Sequence, residues 1–252
     1  MSRTSRIKSK YGFYHVILRG INHSLIFNDD ADYQYFLNLI KKYSAENNCG
    51  ILAYAFLGNH LHLLIKDNDD TLSRFMGQTA SAYAGYFNQR HERSGNLFQD
   101  RFGSENIEND TYLLTVLRYI HQNPMKACIT PKLEYKWSSY NQYFAAETFI
   151  DKTLIMQLLG NSIKRFISFN NEPTGLTTNS PVKFIDVKNK KLSDSAALSL
   201  LKKTFKTEPL SIARMPRAER IKIIKFLLSS GATGRQLSRI LSIPQSNICR
   251  IS

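Results

Sequence analysis

The stretch "GNHLHLLI" (58–65) places His60 and His62 two residues apart, just after a Gly-Asn turn and inside an apolar run. On a β-strand such residues project from one face, with Leu61 and Leu63 on the other. That spacing suits two imidazole ligands on one metal ion, although an H-x-H in a strand is more often structural, and a ligand site needs a third group. The segment 109–123 offers one. It has helical spacing, and Tyr119 and Asn123, at i and i+4, share a face with Tyr112 and Val116. If this face packs over the sheet beside His60 and His62, an amide oxygen and a phenol meet two imidazoles. Two nitrogens and one carbonyl oxygen leave positions open for water and phosphate oxygens, which suits Mg²⁺ or Mn²⁺. A structural zinc would need a closed set of four ligands, and the sequence has no cysteine cluster to provide it. On spacing alone Tyr119 reads first as a core aromatic of a Leu-rich helix. Asn123 precedes Pro124, so a helical conformation there is not assured.

The elements that must position these groups follow from hydrophobic periodicity. A strand is expected over 11–20, a helix over 29–48 with acids at its start, and two strands joined at Gly58-Asn59 over 50–57 and 60–66. A second helix is expected over 69–91, an extended segment over 96–108, and a third helix over 109–124, capped by Asn109 or Asp110 and stopped near Pro124. The order β-α-β-β-α-β plus a helix is the split βαβ, or ferredoxin-like, α+β arrangement with an antiparallel sheet. Such a fold names no function by itself.

The chain has 252 residues and a formal net charge of +14, unevenly spread. Residues 1–150 hold 16 Lys and Arg against 14 Asp and Glu, whereas 151–252 hold 18 against 6. A polyanion, nucleic acid first, is the partner this asymmetry implies. No long apolar stretch suggests a membrane span, and the basic start "MSRTSRIKSK" has no apolar signal core behind it. Cys49, Cys128 and Cys249 are scattered and odd in number, which fits a reducing compartment. A cytoplasmic, nucleoid-associated protein without a membrane partner is therefore expected.

The expected organisation is a first domain over 1–150, a connecting helix and linker over 151–182, and a basic helical region over 183–252. The polar run 170–182 reads as linker, and 193–206 and 216–231 as helices. Thr233 can cap a short helix carrying Leu237 and Leu241, followed by a turn at Ser242–Pro244 and a second short helix with Ile248 and Ile251. That is helix-turn-helix spacing, with Ser242 where such motifs often have glycine. Three small packed helices without a DNA role would give the same pattern. The local basic charge favours DNA, with Arg235 and Arg239 as candidate contacts.

Residues 11–140 resemble the single-tyrosine HUH transposases, most closely the REP-associated tyrosine transposase branch. The resemblance is carried by "YHVILRG", "AYAFLGNHLHLLIK", "LSRFM", "GNLFQDRF", "YLLTVLRYIHQNPMKA" and "WSSY", in that order. It does not extend to the C-terminal hundred residues. It implies that His60 and His62 are the metal-binding pair, that Tyr119 is the nucleophile, and that Asn123 stands at the third ligand position. It also implies an activity: divalent-metal-dependent cleavage and rejoining of single-stranded, hairpin-containing DNA through a 5′-phosphotyrosine link. His121 points away from the Tyr119 face, and His15 is expected in a structural or supporting role. Arg19, Arg74, Arg93, Arg101 and Lys126 are candidate phosphate contacts. Two competing readings use the same fold: a hairpin binder without cleavage activity, and a replication or mobilisation nuclease. The oligomeric state is open, with a monomer favoured.

Overall fold

The computed structural model describes residues 7–173, 194–205, 207–230, 232–244 and 247–248. The linker expected over 170–182 falls outside them from residue 174 onward, as do Cys249 and Ile251. The described residues belong to two compact units. One contains residues 1–122 and 134–185, the other 123–133 and 186–252.

In the first unit, strands β1 (Phe13–Arg19), β2 (Cys49–Leu57), β3 (His60–Asp67) and β4 (Gly103–Ile107) form one antiparallel sheet in the order β2-β3-β1-β4. Helices α1 (Asp30–Glu46) and α2 (Leu72–Arg90) make the two crossovers, and α3 (Asp110–Lys126) follows β4. This is the ferredoxin-like α+β order expected from the sequence. The Asp29 carboxylate starts α1 by accepting from the amides of Ala31 and Asp32, at 3.0 and 3.2 Å. Asp32 is fully buried, and its charge is met by Arg90 Nη1 at 2.6 Å and His91 Nε2 at 3.0 Å, both from the far end of α2. A buried carboxylate without such partners would cost several kcal/mol, so this cluster fixes α1 against α2.

Alternation along the strands sorts the two faces. Val16, Leu18, Leu61, Leu63, Tyr54 and Phe56 lie on one of them, all buried. Phe36 of α1 stands 5.2 Å from Phe56 and 4.9 Å from Tyr83 of α2, so both helices cover this face. The other face carries His15, Ile17 and Arg19 of β1 opposite Leu64, His62 and His60 of β3. The outer edge of β2 is closed by residues 137–139, where Phe56 N donates to Trp137 O and Ser139 N to Tyr54 O, both at 2.9 Å. His121 is buried beside this edge, with Nε2 3.0 Å from Ser139 Oγ and Nδ1 2.8 Å from Asn170 Oδ1. Asn170 belongs to α5 (Ile163–Asn171), which follows α4 (Thr153–Leu158).

The third helix runs past its expected stop, with Pro124 inside it. A proline there removes its own N–H donor and crowds the carbonyl one turn back, yet the helix continues to Lys126. The ladder resumes at once, as Ala127 N donates to Asn123 O at 2.9 Å and Ile129 N to Pro124 O at 2.9 Å.

The second unit packs α6 (Asp194–Phe205), α7 (Arg217–Ser229) and α8 (Gly234–Leu241) around Leu201, Ile212, Ile223, Ile224, Leu227, Leu237, Leu241, Ile243 and Ile248. Thr233 and Gln236 form a capping box at the start of α8. Ser242 ends it in the left-handed conformation at φ 52°, the position where the sequence pattern lacked its glycine. Of the second short helix, only residues 247–248 are described, in helical conformation.

Candidate active site

His60 and His62 project from the same face of β3, as alternation requires. Their ring centroids are 5.1 Å apart and nearly perpendicular, at 85°. The Gly58-Asn59 turn that leads into them is held from the 20–27 loop. Gly58 O accepts from Ile26 N at 2.8 Å, and Asn59 O from Gly20 N at 2.9 Å. Gly20 is required there by close approach, since a Cβ would sit 2.2 Å from Ser24 O.

Each imidazole is held at Nδ1. His60 Nδ1 is 2.7 Å from Asn59 Oδ1, an acceptor, so the ring carries its proton at Nδ1 and its lone pair at Nε2. His62 Nδ1 is 3.0 Å from Nε2 of His15, which is completely buried on β1. Burial holds His60 well below the usual imidazole range, assisted by the charges of Arg19 and His23. Burial lowers His62 and His15 as well, so all three rings are neutral at neutral pH.

Tyr119 of α3 is the aromatic brought to this face. It is 6% exposed, its ring edge-on to His62 at 5.4 Å and 89°, and 5.9 Å from His15. Asn123 follows one turn later on the same helix, is buried, and falls in the second compact unit. Among the described residues no group of three or more His, Cys, Asp or Glu side chains could hold a metal. Two neutral imidazoles, each contacted at Nδ1, suit the role of ligands to a divalent cation.

The candidate arginines separate by layer. Arg19 pairs in register with His60, and its charge helps burial to hold that imidazole below the usual range. Arg74 lies in the helical layer across the sheet, where its Nε donates to Asn47 Oδ1 at 2.5 Å. Arg93 stands over the Phe87 ring at 5.6 Å, just past α2. Arg101 is exposed in the loop before β4, and Lys126 is exposed in the last turn of α3. In the second unit Arg235 is exposed, whereas Arg239 forms a double-pronged ion pair with Asp194, its Nε and Nη2 at 3.0 and 2.7 Å from Oδ2. Sequence reasoning missed Asn59 and Glu105. The first was visible as the polar residue of the turn. The second depends on the β1–β4 register, which pairs His15 with Glu105.

Comparisons with known proteins find the following similarities. No curated protein matches the sequence. A solved REP-associated tyrosine transposase bound to a REP hairpin is similar at 21% identity and a TM-score of 0.49, over 61% of this chain and 94% of that one. A putative transposase from Deinococcus radiodurans R1 is similar at 17% identity and a TM-score of 0.34, over 48% of this chain and 97% of that one. The family model for IS200-like transposases matches residues 9–123, the segment that carries both histidines, Tyr119 and Asn123. Over those residues the chain is similar to the IS200-like transposases.

Proposed function

We propose that this protein cleaves and rejoins single-stranded DNA through a covalent link to Tyr119. The observation that carries the reading is the edge-on placement of the Tyr119 ring over His62, with His60 alongside. The phenol oxygen attacks a backbone phosphorus. The Oη–P bond forms, the bond from phosphorus to the 3′ oxygen breaks, and the phenol proton ends on that departing oxygen. The product is a 5′-phosphotyrosine with a 3′-hydroxyl strand end, and the reverse step joins a new end without ATP.

His60 and His62, with Asn123 in the third position, would hold a divalent cation, Mg²⁺ or Mn²⁺. Such an ion supplies charge stabilisation at the phosphate. The protein's own part is to fix both imidazoles by Nδ1, to keep them neutral, and to hold the phenol against them. Arg19 adds a cation beside His60 for the entering phosphate.

The REP-associated branch is supported by the motifs quoted above, from "YHVILRG" to "WSSY". On that reading the substrate is an imperfect DNA hairpin with single-stranded flanks, and the basic region 183–252 grips the duplex stem through its helix-turn-helix-like part. The test is to incubate the protein with single-stranded oligonucleotides tiled from the DNA flanking its gene, with Mn²⁺, and to resolve the products on a denaturing gel. A protein–DNA band lost with chelator and in Tyr119→Phe is expected. Tight hairpin binding with no such band on any tile would turn the reading to a non-catalytic binder.

A further inference from the structure

Behind His62 lies a buried arrangement that the cleavage chemistry does not itself use. His15 sits on β1, completely buried, with its ring stacked on that of His62 at 5.2 Å and 18°. One short contact joins them, Nε2 of His15 to Nδ1 of His62 at 3.0 Å. On the far side of His15, Nδ1 faces Glu105 Oε2 of β4 at 4.0 Å. Glu105 is itself 10% exposed at the side chain, and Tyr112 of α3 lies beside it, its phenol pushed up by burial and then by that carboxylate.

Two neutral imidazoles joined by one contact share one proton between the facing nitrogens, and either ring could supply it. The two choices differ in consequence. If His15 donates from Nε2, the proton of His62 lies on Nε2 and that atom cannot ligate. If His62 donates from Nδ1, its lone pair is on Nε2, on the side away from His15. The carboxylate decides between them. Its distance exceeds a hydrogen bond, yet beside a fully buried ring a charge 4.0 Å away still orients an N–H dipole strongly. It places the His15 proton on Nδ1, which leaves His15 Nε2 as an acceptor and obliges His62 to donate.

We infer that Glu105 and His15 form a buried relay that fixes the tautomer and ring plane of His62, making them positioning residues for its metal-ligating Nε2. The inference rests on His62 being a ligand, as proposed above. Asn59 does the same service for His60 directly, with an amide oxygen in place of an imidazole. The relay also joins three strands: β4 holds the charge, β1 the intermediate ring and β3 the ligand.

The first test uses the metal-free wild-type protein, labelled with ¹⁵N-histidine, by long-range proton–nitrogen correlation. His62 is expected as the Nδ1–H tautomer with a pyridine-type Nε2, and His15 likewise as Nδ1–H. An Nε2–H tautomer at His62 overturns the relay. The second test measures Mn²⁺ affinity by titration. His15→Leu should lose about 10–100-fold, the range seen when a ligand's supporting partner is removed. Glu105→Gln should lose less. His15→Gln, whose amide oxygen can accept in place of Nε2, should recover most of the loss and serves if the leucine variant does not fold. Affinities of His15→Leu and His15→Gln both within twofold of wild type would overturn the inference. A wild-type protein that shows the expected tautomer yet binds no Mn²⁺ would contradict the proposed function and leave the tautomer assignment standing.

Discussion

The ring of Tyr119 stands edge-on to that of His62, with centroids 5.4 Å apart and planes at 89°. A helix and a strand, both rigid elements, hold the two sides of this contact. Tyr119→Phe keeps the ring and removes only the nucleophilic oxygen. It should abolish the covalent adduct while leaving hairpin affinity unchanged, and should cost no more than about 1.5 kcal/mol of stability. Gel-shift titration and urea unfolding of the same preparation check both halves.

Arg19 and Arg74 should part company. Arg19 pairs with His60 on the site face, and Arg74 is bound to Asn47 in the layer behind the sheet. Arg19→Ala is expected to slow adduct formation by about tenfold or more, the scale of one charge-assisted phosphate contact. Arg74→Ala should leave that rate within twofold. Single-turnover rates on one cleavable oligonucleotide decide it.

Gly20→Ala tests whether the loop behind the histidines positions them. The added Cβ would meet Ser24 O at 2.2 Å, while Gly20 N holds Asn59 O and Asn59 Oδ1 holds His60. A loss of about 1–3 kcal/mol is expected from the forced shift, together with weaker Mn²⁺ binding. An equally large stability loss with unaltered metal affinity would show that the loop supports the fold alone.

In the second unit, Arg235 and Arg239 should also differ. Arg239 is committed to Asp194, and that bond holds Asp194 below the usual carboxylate range. Arg239→Ala should lower the melting temperature of the protein. Arg235→Ala should instead weaken hairpin binding and reduce the slope of log affinity against log salt by about 1, as loss of one phosphate contact does.

Burial brings the His121 imidazole down to about 4 from an ordinary 6.5. The unfolded chain then binds a proton that the folded one refuses, so this group favours the fold fully above 6.5. Its contribution is lost progressively as pH falls through that value toward 4. Melting temperatures measured between these limits should fall with pH. His121→Gln should be less stable at neutral pH and show a shallower slope.

Much of this architecture could be read from the sequence, for identifiable reasons. The H-x-H alternation, the i and i+4 spacing of Tyr119 and Asn123, and the Thr233 cap are local patterns whose geometry follows from strand and helix periods. What the sequence hid depends on register or on distant pairing. His15 meets His62 only because β1 and β3 pair as they do, and Asp32 meets Arg90 and His91 across both crossover helices. The third helix runs past Pro124, with Ala127 N bonded to Asn123 O beyond it, a continuation that local propensity does not report.

The central claim is that the Tyr119 oxygen forms the bond to DNA. The direct measurement is mass spectrometry of the protease-digested covalent complex, formed with Mn²⁺ on a cleavable oligonucleotide. The account predicts a peptide containing Tyr119 that carries a 5′-linked nucleotide phosphate on that side chain. A nucleotide attached to any other residue, or cleavage that proceeds with no protein-linked intermediate, would contradict it.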